Sequence, residues 1–377
     1  MAAVCSHWLA GWQATNEAPW PRRRLKQVPL DLPEEIEIDT CDQLSMAATP
    51  DGRLVVCSTP DADATQTEVR FLDRSMCVLQ ILRTRIGDLE DRCASPNQAI
   101  AADDDSIYHS FGEFNRAIRR SNHSGTIVAE YRVERGSFFY PVLAPTSGLL
   151  FCVMRDYDDW GPGHPMTHRP SYYPDDAPDE IIALDAQTLQ LRHRFGSAGL
   201  LDEASQPAVV GDELYVCDIS KDRLQVISLT GEHRRSVTGA WRSPEQLCFA
   251  KGRLYLVEQE FGKGMDDDQF DHWIDSRMED GELKSEDEVA EARSAYFSQK
   301  ASDVRGHRVL VLSLQGEILR VVITHPTIST AVFTSICCFD GKLMAAFEED
   351  KKGAGWPRKI RRSSTRYKNG VLALQGL

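Results

Sequence analysis

The chain has 377 residues, of which 42% are hydrophobic, and it carries a formal net charge of −14 at pH 7. This length and composition support a sizeable folded core and exclude global disorder. The acidic balance argues against a surface that binds nucleic acid over its whole extent, and DNA is not an expected partner. No run of about 18 apolar residues occurs, so neither a transmembrane helix nor a membrane partner is expected.

The first 23 residues are predicted to be an N-terminal extension. Their opening, MAAVCSHWLAGWQ, lacks the basic start and long apolar stretch of a secretory signal, which predicts an intracellular and most simply cytoplasmic protein. The basic stretch PRRRLK at 21–26 leaves organelle targeting open as an alternative.

Six similar units follow one another along the chain. Each contains an apolar strand, a turn that is rich in Gly and Asp, a second apolar strand, and a third strand further on. The nearest spacings between equivalent residues are about 40 residues, the length of a four-stranded propeller blade. The strands are near-continuous apolar runs, which indicates burial on both faces, as in stacked sheets. The equivalent second-strand residues are Leu54, Ile107, Leu149, Leu214, Leu254 and Leu343.

These units predict an all-β fold, a six-bladed β-propeller that occupies residues 24–377. The last unit ends after its third strand, so an N-terminal strand is expected to close the last blade. Residues 24–30, RLKQVPL, are the predicted closing strand. The longer spacings in the third and fifth units contain polar insertions at 155–179 and 264–304, of which the second is predicted to be helical.

The stretch LYVCDISKDRLQVISLTGE at 214–232 resembles an NHL repeat. Asp218 and Arg223 match the Asp and Arg of that family, and the resemblance implies that they pair across the hairpin. Glu258 and Arg308 match the same positions in the next unit. The other units depart from the pattern, with Ser58, Phe111, Val153 and Phe347 at the Asp position. The resemblance implies a six-bladed propeller with a binding role more often than a catalytic one.

In such a blade, loops between the second and third strands emerge on the same rim as the loops that join blades, so the insertions should gather on one face. The first insertion contains the rigid aromatic residues Trp160, Tyr172 and Tyr173, which suit a peptide-contact surface. His164 and His168 in the same loop offer an alternative metal site. However, Pro162, Pro165 and Pro170 exclude the helix that would place both rings on one side.

The second insertion is strongly acidic, with twelve acidic and two basic residues between Asp266 and Glu291. Its stretch SEDEVAEARSAYF has an N-cap serine, Ser285, and apolar residues at helical spacing, which predicts one or two helices. A calcium site is an alternative, although the stretch lacks EF-hand spacing. A solvated acidic face is the simpler interpretation.

A basic segment at 348–368 lies between the second and third strands of the last unit. It could bind a protein or acidic peptide, bind RNA through basic and aromatic side chains, or compensate the acidic insertion. Its candidate partner-binding residues are Trp356, Arg358, Arg361, Arg362 and Tyr367.

Polar residues precede the predicted innermost strands and are expected at the mouth of a central channel. Asp42, Asn97 and Glu245 resemble the divalent-metal ligands of six-bladed lactonases, which makes a metal-dependent lactonase or arylesterase-like hydrolase, with a metal such as calcium, the main alternative function. No histidine accompanies them as a general base. The neutral residues Gln43, Gln98, Gln206 and Gln246 favour hydrogen-bonding plugs instead.

Ten cysteines are scattered without CxxC spacing. Cys57, Cys152 and Cys217 each lie inside an apolar run, which predicts buried, reduced thiols. Together the patterns predict a non-catalytic binding scaffold without a cofactor. Its expected partner is a protein or peptide, bound through one decorated propeller face.

Overall fold

The 24 strands that the computed structural model describes belong to one unit, formed by Val28–Glu260 and Arg305–Leu377. A second unit comprises Met1–Gln27 and Phe261–Val304. The structure describes residues 35–37, 44–58, 66–85, 100–111, 116–134, 136–155, 179–196, 200–241, 243–259, 285, 289, 307–322, 332–350 and 367–374.

The strands form six four-stranded antiparallel sheets, and the fold is an all-β propeller. Sheet 1 contains β2 (Ser45–Ala48), β3 (Leu54–Ser58), β4 (Gln66–Leu72) and β5 (Val78–Arg85). Sheet 2 contains β6 (Ile100–Ala102), β7 (Ser106–Phe111), β8 (Ala117–Asn122) and β9 (Ile127–Arg132). Sheet 3 contains β10 (Ser137–Ala144), β11 (Leu149–Arg155), β12 (Glu180–Asp185) and β13 (Leu191–Phe195).

The remaining three sheets repeat this arrangement. Sheet 4 contains β14 (Ala204–Val210), β15 (Glu213–Asp218), β16 (Arg223–Ser228) and β17 (His233–Thr238), with a one-turn 3-10 helix at Ile219–Lys221. Sheet 5 contains β18 (Pro244–Ala250), β19 (Arg253–Gln259), β20 (His307–Leu312) and β21 (Ile318–Val322). Sheet 6 contains β22 (Val332–Phe339), β23 (Lys342–Asp350), β24 (Tyr367–Leu374) and β1 (Glu35–Glu37).

The first strands of consecutive sheets contact one another in an unbroken series, from β2 through β6, β10, β14, β18 and β22 and back to β2. The six equivalent residues predicted from the repeats, from Leu54 to Leu343, all lie in the second strand of a sheet. The repeating pattern therefore located the sheets correctly.

An N-terminal strand supplies the fourth strand of sheet 6, as predicted, but the predicted segment was wrong. β1 pairs antiparallel with β24, and Ile36 lies opposite Val371. The predicted closing strand, 24–30, lies outside the described residues. The pairing joins the two ends of the chain within one sheet.

The second strand of each sheet is buried on both faces, as its near-continuous apolar sequence predicts. In β19, Leu254 and Leu256 pack into a cluster with residues of sheet 4. The alternate residues Tyr255 and Val257 pack into a cluster with residues of sheet 6. The core therefore consists of apolar layers between neighbouring sheets.

Five sheets join their third and fourth strands by one kind of turn. The first residue of the turn donates its backbone N–H to the carbonyl of the last residue, and its side chain accepts backbone N–H groups within the turn. The residue before the last has a positive φ, which favours glycine. These residues are Met76, Gly125, Leu189, Gly231 and Gly316.

The predicted helical insertion lies mainly outside the described residues. Within it, the backbone N–H of Val289 donates to the carbonyl oxygen of Ser285 at 3.1 Å, which is a hydrogen bond of the i to i−4 type. In the part of the chain that the structure describes, no helix is long and apolar enough to cross a membrane.

Candidate functional site

We call the end of the sheets at which the first strands begin the insertion end. The opposite end, which carries the turns between third and fourth strands, is the turn end. At the insertion end, polar side chains link neighbouring first strands through backbone groups. The Ser45 hydroxyl accepts from the Ile100 N–H at 3.0 Å, and Gln246 Nε2 donates to the Phe333 carbonyl at 2.8 Å.

The same kind of link recurs elsewhere at this end. The Ser205 hydroxyl donates to the Glu245 carbonyl. The Thr334 hydroxyl donates to the Leu44 carbonyl at 2.7 Å, and the Ser335 hydroxyl accepts from the Met46 N–H at 3.1 Å. These side chains therefore tie adjacent sheets together. Of the four glutamines predicted to hydrogen-bond here, Gln246 forms such a bond and Gln206 is half-buried in β14, while Gln43 and Gln98 lie outside the described residues.

β-Bulges accompany these links in sheets 4, 5 and 6, whereas β2, which carries Ser45, pairs with β3 in unbroken register. The register shifts near the start of β10, β14, β18 and β22. A bulge adds one unpaired residue and redirects the side chains around it. Three residues at these starts also have positive φ values without being glycine: Tyr140 at 49°, Glu203 at 59° and Ser243 at 43°. Such backbone costs energy and is frequent at functional sites.

The clearest polar cluster at the insertion end lies at the base of the first insertion. Arg155 ends β11 and Asp179 precedes β12, so the two residues flank the segment 156–178. Arg155 Nε lies 3.3 Å from Asp179 Oδ2, and both side chains are largely buried. The backbone N–H of Ala204 in sheet 4 donates to Asp179, and Arg155 donates to the carbonyl of the same alanine. Both ends of the insertion are therefore fixed to the first strand of the next sheet.

Two glycines with positive φ enclose this base. A Cβ at Gly136 would lie 2.8 Å from the Arg155 carbonyl oxygen, and a Cβ at Gly196 would lie 2.9 Å from the Asp179 carbonyl oxygen. Both distances are too short for any side chain. The backbone around the base of the insertion is therefore packed too closely for any residue other than glycine at these two positions. In addition, the Arg155 guanidinium lies 5.6 Å from the centre of the Phe139 ring.

Burial dominates the protonation of Asp179. Desolvation raises its pKa above the ordinary value, and the Arg155 charge and the Ala204 N–H only partly oppose this effect. The pKa of Asp218 is also raised by burial, against the opposing effect of Arg223. Burial therefore destabilises the charged forms of both carboxyls.

The pair that the NHL resemblance implied is present in sheet 4. Arg223 Nε lies 2.6 Å from Asp218 Oδ2, and the Asp218 side chain is fully buried. Asp218 Oδ1 also accepts from the backbone N–H of Asp202, in the connection from sheet 3, at 3.0 Å. In sheet 5, Glu258 is buried and lies opposite Arg308 in the strand register.

Sequence reasoning missed an equivalent acid in sheet 1. Ser58 occupies the family's Asp position, but Glu68 lies directly opposite it on the neighbouring strand. Glu68 is buried and forms ion pairs with Arg70 and with Arg83, the second at 2.9 Å. The signal in the sequence was an acidic residue followed by arginine in an otherwise apolar strand, TEVRF.

The three unusual segments leave the sheets at the insertion end. Strand registers place the ends of three second strands beside the starts of three first strands: Arg155 opposite Ser137, Glu258 opposite Pro244, and Glu348 opposite Val332. The predicted contact residues Trp160, Tyr172, Tyr173, Trp356, Arg358, Arg361 and Arg362 lie outside the described residues. The backbone of Tyr367 belongs to β24, opposite Asp350.

Of the alternative metal ligands, the structure describes one. Glu245 is a half-buried bulge residue of β18, whereas Asp42 and Asn97 lie outside the described residues. His164 and His168 also lie outside them. Within the described ranges, no three His, Cys, Asp or Glu side chains are grouped so that they could hold a metal ion.

The predicted core thiols are confirmed. Cys57, Cys152 and Cys217 are buried. Burial raises the pKa of Cys57 to about 12 and also raises the pKa values of Cys152 and Cys217. These thiols are therefore protonated core residues and poor nucleophiles.

The fold defines a β-propeller in which three second strands end at the insertion end of their sheets. No family model matches the chain, and no curated protein matches it. A luciferin-regenerating enzyme is 11% identical over 92% of this chain and 96% of its own, with a TM-score of 0.49. A protein of unknown function from Bacteroides caccae is 9% identical over 74% of this chain and 78% of its own, with a TM-score of 0.42. At these identities the likenesses concern the fold alone.

Proposed function

We propose that this chain is a binding scaffold, an NHL-like propeller whose six sheets are six blades around one axis. Its insertion end is the surface that binds a protein or peptide partner, in an intracellular compartment. The contacts between successive first strands support the six-bladed ring, and the Asp218–Arg223 pair supports the NHL-like character.

The observation that carries the proposal is the way polar groups at the insertion end are used. Ser45, Ser205, Gln246, Thr334 and Ser335 each bond to the backbone of a neighbouring sheet. These groups hold the ring together. They are therefore suited to supporting a rigid platform more than to contacting a substrate.

A rigid platform makes the insertions effective binding elements, because loops fixed at both ends lose less entropy when they bind. Arg155 and Asp179 supply such an anchor for the aromatic insertion. Trp160, Tyr172 and Tyr173 then supply the contact area, and the basic residues around Trp356 supply charge for an acidic partner.

The test is an affinity capture from the source cell, with cross-linking and identification of the captured proteins. The variant Trp160→Ala/Tyr172→Ala/Tyr173→Ala should reduce capture of the main partner by roughly tenfold or more, as the loss of aromatic hot spots does. The matched control is Leu191→Ala, on the exposed outer strand β13, which should leave capture unchanged. Equal capture by the wild-type protein and the triple variant would refute the proposal.

A second arm of the same experiment uses a chain that lacks residues 265–300. Loss of a partner from this variant alone would assign that partner to the acidic insertion. Retention of every partner would remove the acidic insertion from the binding surface.

A metal-dependent lactonase or arylesterase-like hydrolase is a second candidate, favoured by one observation. The strained residues Tyr140 and Ser243 and the bulge at Glu245 lie where the first strands begin, and such strain is typical of functional sites. Hydrolysis of an aryl acetate that requires calcium, stops with EDTA and is lost in Glu245→Gln would establish this function. No hydrolysis above that of the Glu245→Gln variant would exclude it for this substrate.

A further inference from the structure

The outer strands of the sheets differ in how well their free edges are protected. A free strand edge presents unpaired backbone groups, and proteins usually shield it with charged residues or short length. β13 reads LRHRF and β17 begins HRRS, so charged or ionisable side chains recur along both. β5 reads VLQILRTR, has eight residues and carries no charge in its first five positions.

Three of the seven exposed large apolar side chains in the described ranges lie in β5, and two others, Ile127 and Val128, lie in β9. Val78 is 50% exposed, Leu79 58% and Ile81 45%. In the described part of the chain, β5 pairs only with β4, so its other edge has no strand beside it. The first half of β5 is therefore an apolar, unpaired edge.

Contacts with sheet 2 show which β5 side chains face that sheet and which face away from it. Gln80 Nε2 donates to the His123 carbonyl at 2.8 Å, and a Cβ added at Gly125 would lie 3.9 Å from Leu82. Successive side chains of a strand point to opposite faces. Gln80 and Leu82 thus face sheet 2, whereas Ile81 and Arg83 face away from it.

Exposed arginines lie at both ends of the apolar edge, in a chain whose net charge is −14. The Arg74 side chain, in the turn before β5, is 67% exposed, and the Arg83 side chain is 66% exposed. Arg74 Nε lies 3.6 Å from Asp340 Oδ1, and Arg83 Nε lies 2.9 Å from the buried Glu68 carboxylate. The edge therefore has an apolar centre and an exposed guanidinium at each end, of which the Arg74 group is the less compensated.

We propose that the free edge of β5 is a docking site for an extended partner peptide, which adds a strand to sheet 1. The matching peptide carries apolar residues at alternate positions in its centre and acidic residues at both ends. Strand addition of this kind takes affinity from backbone hydrogen bonds and selectivity from alternate side chains. The site lies on the circumference of the propeller and does not depend on the proposed use of the insertion end.

The test measures fluorescence anisotropy of the full chain with a labelled probe peptide, Asp-Glu-Val-Thr-Val-Thr-Val-Glu-Asp. Saturable binding is expected, and Leu79→Lys/Ile81→Lys should weaken it about tenfold or more, because lysine blocks edge pairing. The matched control is Ile127→Lys, on the outer strand β9, where Ile127 is 48% exposed. This variant should bind the probe like the wild type.

Two further arms test the charge and the occupant. Arg74→Glu should weaken the binding and reduce its dependence on salt, and a probe with lysines in place of its acidic residues should bind less tightly. Thermal unfolding of each variant confirms that these surface changes leave the fold intact. The proposal is wrong if the probe does not bind, or if the β5 variant binds it as well as the Ile127→Lys control does. Sedimentation that shows a dimer in the wild type and a monomer in the β5 variant would instead identify a second copy as the occupant.

Discussion

Replacement of Asp179 by alanine tests how firmly the first insertion is fixed to the propeller. Asp179 accepts a hydrogen bond from the Ala204 N–H and pairs with Arg155, and its side chain is only 8% exposed. Asp179→Ala therefore leaves a backbone donor and a guanidinium without their buried acceptor. Each unsatisfied donor costs about 1–3 kcal/mol, and a broken buried pair costs about 3–5 kcal/mol.

We expect the free energy of unfolding to fall by about 4 kcal/mol in Asp179→Ala. With an unfolding entropy of about 2 cal/mol/K per residue, this loss lowers the Tm by roughly 5 °C. Differential scanning calorimetry and urea denaturation both measure it. The matched control is Glu180→Ala, the next residue, whose pairing with Arg194 is exposed enough that its loss costs about 1 kcal/mol or less.

Similar losses in the two variants would refute this reasoning, as would a change of less than about 1 kcal/mol in Asp179→Ala. Either result would mean that the pair at the base of the insertion contributes no more than a surface ion pair. The insertion would then lack the rigid anchor on which its proposed binding role depends.

Three further predictions concern protonation, packing and closure of the propeller. Burial raises the folded-state pKa values of Asp179 and Asp218 above the ordinary value of 3.8. The stability that their protonated forms contribute is therefore complete below pH 3.8 and is lost as the pH rises through the raised pKa values. Urea denaturation at a series of pH values should show that the free energy of unfolding falls less steeply with rising pH in Asp179→Asn/Asp218→Asn than in the wild type. The same slope in both proteins would contradict this. In Gly239→Ala the new Cβ would lie 1.9 Å from the Trp241 ring, and we expect a loss of about 2–3 kcal/mol. In Gly211→Ala the new Cβ meets nothing within 4 Å, and the positive φ should cost only about 1 kcal/mol. Equal losses in the two variants would show that the Trp241 side chain moves aside at little cost. A truncation that removes β1 should lower the Tm far more than one that removes only residues 1–23, because β1 completes sheet 6; equal Tm values would show that β1 does not close the ring.

The sequence predicted the sheets well because each sheet is a local pattern. Leu214 and its equivalents mark a hairpin whose strands lie within a few residues of each other, so alternation and turn residues suffice to place it. Asp218 and Arg223 were predictable for the same reason, since they face each other across a single hairpin.

Long-range pairing was harder to predict. The closing strand reads EIE at 35–37, and its partner lies more than 300 residues away in β24. Nothing in the local pattern ranks this segment above RLKQVPL, because the choice depends on which stretch fits the free edge of β24. Residue propensities for strands depend strongly on such context.

The buried acids at the insertion end show the same limit. Asp179 belongs to an insertion with several acidic residues, and only its meeting with Arg155 and Ala204 selects it. Glu68 replaces the expected acid of sheet 1 from the opposite strand, so the spacing of the family motif fails although an ion pair persists. Which acid forms the ion pair is therefore decided by its neighbours in the folded sheet, and not by its position in the sequence repeat.

Hydrogen–deuterium exchange of the full chain, free and bound to its captured partner, tests the central claim most directly. The binding-scaffold account predicts slower exchange on binding in the segments 156–178 and 351–366, which leave the sheets at the insertion end. It predicts no change in the turns at the opposite end, such as Asp73–Cys77 and Asp185–Gln190. Protection confined to those turns, with both segments unchanged, would contradict it.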